Sequence, residues 1–275
     1  MNQAKKIICV GIIVVSILTG YVFGHLRVDA YRSDYTYKLH AAAMPVPVEL
    51  IGALAGEFKG LLADYLLLEA ASFIGSAQSF DAEPEDWDAV ARLLRQSNML
   101  DPYFRSTYFL AHSILPWRAQ KFNETLEILE NSKNHLPGDW FPGFFLGFNH
   151  FFFLKDNLTA SQKLMEASKI PGAPVYLATM AGRLAAEAGR IGVAIDFLTV
   201  MYEKSEDEQA REELKHRILA LQGIAILESA VGRFQSQYGR MPSTLEELVS
   251  RKILPALPVN PYERPYTMKE GKVFY

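Results

Sequence analysis

Apolar side chains recur at three- and four-residue spacing over nearly all of the chain beyond residue 47, and the period-two alternation of half-buried strands is scarce. The pattern predicts a mainly α-helical protein. Ile51, Leu54, Phe58, Leu61, Tyr65 and Leu68 form one such stripe within Val48 to Gly75, where the first helical hairpin begins. Pro84 suits the first position of the next helix, with Glu83, Glu85 and Asp86 favourable at its positive end. Glu206 to Tyr238 reads as one long helix, with Leu214, Ile218, Leu221, Ala225, Val231 and Phe234 on its stripe and Gly239 closing it. Ser243 and Glu246 stand at capping-box spacing and predict a short helix. Tyr266 to Tyr275 predicts a small β-hairpin turning near Glu270 and Gly271.

The start of the chain has a different pattern. Lys5 and Lys6 precede an uncharged apolar run from Ile7 to Gly24, eighteen residues that would extend about 27 Å as a helix, close to the thickness of a bilayer core. The exit, Tyr21 to Arg27, puts bulky groups where signal cleavage needs small ones. An uncleaved signal anchor in the inner (cytoplasmic) membrane is expected, single-pass, with the bulk of the chain on the periplasmic or outer side. Arg27, Arg32 and Lys38 compete with Lys5 and Lys6 over that orientation. Pro45 and Pro47 then break helix.

Internal self-similarity is the most informative feature. Val90, Thr125, Ala160 and Ala194 are spaced by 35, 35 and 34 residues. Four residues after each comes a leucine: Leu94, Leu129, Leu164 and Leu198. Seven after come Ser97, Ser132, Ala167 and Met201, and twelve after come Pro102, Pro137, Gly172 and Glu206. A small residue lets two helices approach, a leucine fills the groove, and a helix breaker sends the chain into the next hairpin. This pattern resembles the second helix of a tetratricopeptide repeat. The resemblance covers roughly residues 57–206 and implies an α-hairpin solenoid in which each hairpin buries its open face against a neighbour. It also asks for a small residue in each first helix. Ser113 and Gly182 meet that, and Phe148 misses beside Gly147.

A second resemblance lies in the tail. Phe234 to Tyr266, with Asn260-Pro261-Tyr262-Glu263-Arg264-Pro265-Tyr266 as its turn, is similar to the globular tail of type II secretion pseudopilins. The pilin processing motif is missing, and Asn260 stands where some such tails carry a calcium-ligating Asp. The chain thus divides into a cytoplasmic start and transmembrane signal anchor (1–24), a juxtamembrane linker (25–47), helical repeats (48–206), and a long helix with a small α+β tail (207–275).

Composition narrows the function by exclusion. A net charge of −3 and 49% hydrophobic residues argue against a disordered chain and a nucleic-acid binder. The single Cys9 excludes an internal disulfide and multi-cysteine metal sites. No phosphate-binding glycine loop or nucleophile elbow is present, and the six histidines are scattered, so neither a cofactor, a metal nor an enzyme activity is expected. Asp81, Glu83, Glu85, Asp86 and Asp88 cluster at a helix start and complement its dipole. Asn123 and Asn157 fit glycosylation sequons but are read as helix caps. Trp140 to Leu154 carries seven Phe and one Trp, is too short to span a bilayer, and reads as a first helix buried all round, part of it free to face a partner groove.

The function expected is a membrane-anchored scaffold that binds protein partners in an envelope assembly, secretion or export system. The alternatives are an accessory subunit of an envelope enzyme or glycan-processing complex, and a pseudopilus-like structural component. If first helices line the binding face, as the resemblance implies, the residues to watch are Tyr108, His112, Asn149, His150 and Arg183. Tyr262 and Tyr266 of the tail are the other candidates.

Overall fold

The computed structural model describes residues 3–34, 46–269 and 271–275, with side chains from 12 to 27 and from 46 onward apart from 77, 78 and 270. Helix α1 runs over Gln3–Asp34, and every side chain described on it, from Ile12 to Arg27, is exposed. Among the described residues no helix is long and apolar enough to cross a membrane. Of the apolar run expected to do so, the side chains before Ile12 lie outside the described residues, those of Lys5, Lys6 and Cys9 included. The juxtamembrane stretch from 35 to 45 also lies outside them.

The helices that follow are α2 (Val48–Ala55), α3 (Lys59–Ile74), α4 (Pro84–Leu100), α5 (Arg105–Arg118), α6 (Phe122–His135), α7 (Trp140–Phe152), α8 (Asn157–Ala167), α9 (Val175–Glu187), α10 (Ile191–Lys204), α11 (Glu208–Tyr238) and α12 (Glu246–Ser250). Strands β1 (Thr267–Lys269) and β2 (Lys272–Phe274) pair antiparallel, with Met268 opposite Val273. From α3 to α10 consecutive helices pack as hairpins: α3 with α4, α5 with α6, α7 with α8, and α9 with α10. Pro84 opens α4 behind a capping box in which Glu83 and Asp86 reach each other's backbone N–H. Gly239 closes α11 in the left-handed region, at φ 70°.

The periodic positions are the core. Val90, Thr125, Ala160 and Ala194 are fully buried, and so are Leu94, Leu129, Leu164 and Leu198. In the first helices the close approach falls at Gly147 and Gly182, where an added Cβ would lie 2.6 Å from Leu164 Cγ and 2.6 Å from Leu198 Cδ1. Gly147 and Gly182 are 35 residues apart, so the small position lies one residue before the expected Ser113 and Phe148. Ser113 is instead exposed, and Phe148 is half-buried on the outward side.

Three other expectations change. The stripe from Leu54 to Leu68 is a solvent face, because α3 buries its opposite side through Ala63, Leu66, Leu67, Ala70 and Phe73. Asn123 and Asn157 are not caps: α6 starts behind Lys121 with no side-chain cap, and Asp156 caps α8 by accepting from the Thr159 N–H. Asn157 reaches Glu187 instead, at 3.0 Å. At the short helix, it is Glu247 that accepts from the Ser243 N–H, at 2.8 Å, one residue beyond the expected Glu246.

Second helices are stitched to each other about one repeat apart. Lys121 pairs with Asp88, Arg95 with Glu127 at 2.8 Å, Lys163 with Glu130, and Lys133 with Glu166. Beneath this exposed ladder Asn98 donates to Ser132 Oγ at 2.8 Å and accepts from Asn131 at 2.9 Å. The long α11 packs on α10 and α9, as the first helix of a further hairpin would. No second helix of comparable length follows, only the five-residue α12. The tail folds back instead, and Tyr266 lies against α11 where a Cβ at Gly223 would come within 2.1 Å of its hydroxyl.

Candidate partner-binding surface

Three of the candidate residues meet in a buried seam between α5 and α7. Tyr108 and His112 stand 35 residues before Gly143 and Gly147, at the positions where the next hairpin needs its smallest residues. Side chains of that size cannot enter the α5–α6 contact, so they turn toward α7. The Tyr108 hydroxyl donates to Asp139 Oδ2 at 2.7 Å. Burial and the adjacent carboxylate hold that phenol protonated, well above its ordinary range. Asp139 also caps α7 through the Phe141 N–H and receives Arg105 Nε at 3.1 Å.

The His112 ring stacks on Phe145, with centroids 4.0 Å apart, and its Nδ1 faces Asn149 Nδ2 at 3.0 Å. The same Asn149 amide donates to the Phe145 carbonyl at 2.7 Å, which fixes its orientation and makes His112 Nδ1 the acceptor. Burial pushes His112 down to about 4. The ring is therefore neutral at neutral pH. His150 lies apart from this pair. It is half-buried, with Nδ1 3.8 Å from Asp156 Oδ2, and burial lowers it too.

The free surface lies on the outer side of the same first helices. Helix α7 is not buried all round: Gly143 and Gly147 meet α8, Leu146 joins the core of the preceding hairpins, and its Phe side chains are half-buried or exposed. Phe109 meets Phe141 and Phe145, each at 5.3 Å; Trp117 meets Phe152 at 5.2 Å; Phe144 meets Tyr176 of α9 at 6.3 Å. These contacts join α5, α7 and α9 into one aromatic sheet. Its rim is open: Trp117 is 50% exposed, Tyr176 47% and Phe152 40%. Toward the start of the array a shallow groove between α3 and α5 is lined by Leu68, Ala71, Arg105, Phe109 and Ser113, and a separate depression on α2 and α3 holds Leu61 and Leu54, exposed by 68% and 80%. Isolated exposed hydrophobics are ordinary; a larger face of them is less common on a monomer. The candidate list lacked Trp117, Phe152 and Tyr176. Trp117 and Phe152 are 35 residues apart, so the repeat spacing itself carried the signal.

The remaining candidates gather at the other end. Arg183 of α9 lines a cavity with α11 and β2. Tyr262 stacks flat on Tyr275, with centroids 5.4 Å apart, beside Arg217. Tyr266 is structural: its hydroxyl donates to the Ala220 carbonyl at 3.1 Å. Asn260 holds the turn by accepting from the Tyr262 N–H at 3.0 Å. No family model matches the chain, and no curated protein matches it either.

Proposed function

We propose that the chain is a membrane-anchored helical-repeat scaffold whose first-helix face binds protein partners in an envelope assembly, secretion or export system. The observation that carries this is the aromatic face of α5, α7 and α9, joined by ring contacts from Trp117 and Phe152 through Phe148 and Phe144 to Tyr176 and left open at its rim. Aromatic anchors on a rigid scaffold lose little conformational entropy when they dock, and they dominate protein interfaces. The 35-residue period and its small-then-leucine core positions favour a tetratricopeptide-like array, in which stacked first helices form the ligand surface. The anchor is assigned to Ile7 to Gly24, on the run of exposed apolar side chains along α1.

The test is site-specific photocrosslinking in intact membranes. Crosslinkers at Trp117, Phe152 and Tyr176 should capture one discrete partner, and crosslinkers at Glu130 and Lys163 on the ion-paired second helices should not. Trp117→Ala with Phe152→Ala should abolish that capture in protein that remains folded, at a modest cost in melting temperature because both rings also pack on Phe148 and Phe153. Equal capture from both faces, or capture untouched by the double variant, would refute the assignment. Reporter fusions after Tyr275 should be active only outside the cytoplasm.

A further inference from the structure

Arg217 lies 35 residues after Gly182, where every complete hairpin of this array from α7 onward has glycine. A long side chain is tolerated there because no second helix packs against this part of α11; the tail lies over it instead. Between α9, α11 and β2 this arrangement leaves a cavity of about 430 Å³, within the range of roughly 300–1,000 Å³ common for small-ligand sites. Leu221, Ile224 and Val273 supply apolar wall.

The charges on that wall do not balance. Glu187 is held by Arg183, at 3.6 Å, and by Asn157. Glu228 accepts from the Val273 N–H at 3.4 Å. Arg217 and Lys272 have no carboxylate within ion-pair distance among the described residues. Arg217 donates to the Tyr275 hydroxyl and lies against the Tyr262 and Tyr275 rings, 5.2 and 5.5 Å from their centroids. Its Nε is buried with no hydrogen-bond partner. A desolvated guanidinium with spare donors favours a planar oxyanion above other ligands.

We propose that this cavity binds one carboxylate carried on an aliphatic group, with Arg217 and Lys272 taking the carboxylate and Leu221, Ile224 and Val273 the aliphatic part. Such a group ends a peptide whose last residue is aliphatic, and it also heads a medium-chain carboxylic acid. A phosphate dianion fits less well, because Glu187 and Glu228 border the same space. The site stands apart from the aromatic face and does not depend on it.

Calorimetry on the full chain in a nonionic detergent tests the assignment with three probes: acetyl-Ala-Ala-Leu with a free carboxylate, the same peptide as its amide, and octanoate. At least one acid should bind saturably, and the amide at least tenfold more weakly than the acid peptide if that peptide is the ligand. Binding of the peptide alone identifies a chain terminus as the source; binding of octanoate alone identifies the free acid. Arg217→Gln should weaken the bound acid at least tenfold. Lys272→Gln, on an exposed strand position, should weaken it severalfold with the fold intact, so the proposal remains testable if Arg217→Gln loosens the tail. No binding by either acid, an amide that binds as well as its acid, or affinity unchanged in Lys272→Gln overturns it.

Discussion

Acid should unlock the seam between α5 and α7 through one group. His112 is 8% exposed and its proton affinity falls to about 4, from an ordinary 6.5. The unfolded chain therefore binds a proton at this residue more strongly than the folded one. Stability from the neutral ring is complete above pH 6.5 and is lost as pH falls from there toward 4. A gap of this size corresponds to about 3 kcal/mol, with a slope approaching ~1.4 kcal/mol per pH unit inside the window. Geometry gives the same sign. Protonated Nδ1 would point a hydrogen at the Asn149 amide, and turning that amide over would set its oxygen against the Phe145 carbonyl. The assay is denaturant unfolding of wild type and His112→Leu at pH 7.5, 6.5, 5.5 and 4.5. His150 also titrates downward, but it is common to both proteins and cancels in their difference. The stability of wild type relative to the variant should fall by about 2.5 kcal/mol across the series, which stops just above the folded-state value of about 4. Parallel curves would refute the reasoning and mean that the charged ring finds water or a partner in the folded state.

Other perturbations test other parts of the fold. Leu129→Ala and Leu164→Ala remove fully buried side chains and should each cost about 2–5 kcal/mol in thermal or chemical melts. Gly147→Val places its first carbon 2.6 Å from Leu164 Cγ and should destabilise by at least ~1–3 kcal/mol, whereas Ser113→Val on the exposed side should be close to neutral. Tyr108→Phe leaves the buried Asp139 short of one donor and should cost about 1–3 kcal/mol. A double-mutant cycle on Lys133 and Glu166, half-exposed on the ion-paired ladder, should yield no more than ~1 kcal/mol and shrink in high salt.

The second helices were legible in the sequence because they repeat one chemical rule, a small residue followed by a leucine, and burial at Val90 through Leu198 follows it. The first helices broke the rule where Tyr108 and His112 replaced small residues, and this pulled the register forward to Ser113 and Phe148. The face of α3 could not be read from spacing alone. Leu66, Leu67 and Phe73 are as apolar as Leu61, Tyr65 and Leu68, and only the packing of α4 decides which set is covered. Asn149, a polar residue inside an aromatic run, bonds inward through its amide N–H groups to His112 and Phe145, while its Oδ1 is buried without a partner. The cavity was hidden for another reason. Its walls come from Arg183, Arg217 and the last four residues, which only the folded tail brings together.

That tail also gives the array a direction. A stack of similar hairpins has two ends, and either could in principle accept another hairpin or another molecule. Here the α11 end carries a lid of different construction, locked by Tyr266 against Gly223 and by the tyrosine pair over Arg217. The tail covers only part of that side, leaving Leu219, Ile226 and Val259 exposed, while among the described residues α2 and α3 keep an apolar face uncovered on the other. The two ends of the array are thus built differently, one hairpin-like at α2 and α3 and one closed in part by a tail of another construction, so a further hairpin of the same kind would find its matching surface at the first end and not at the second.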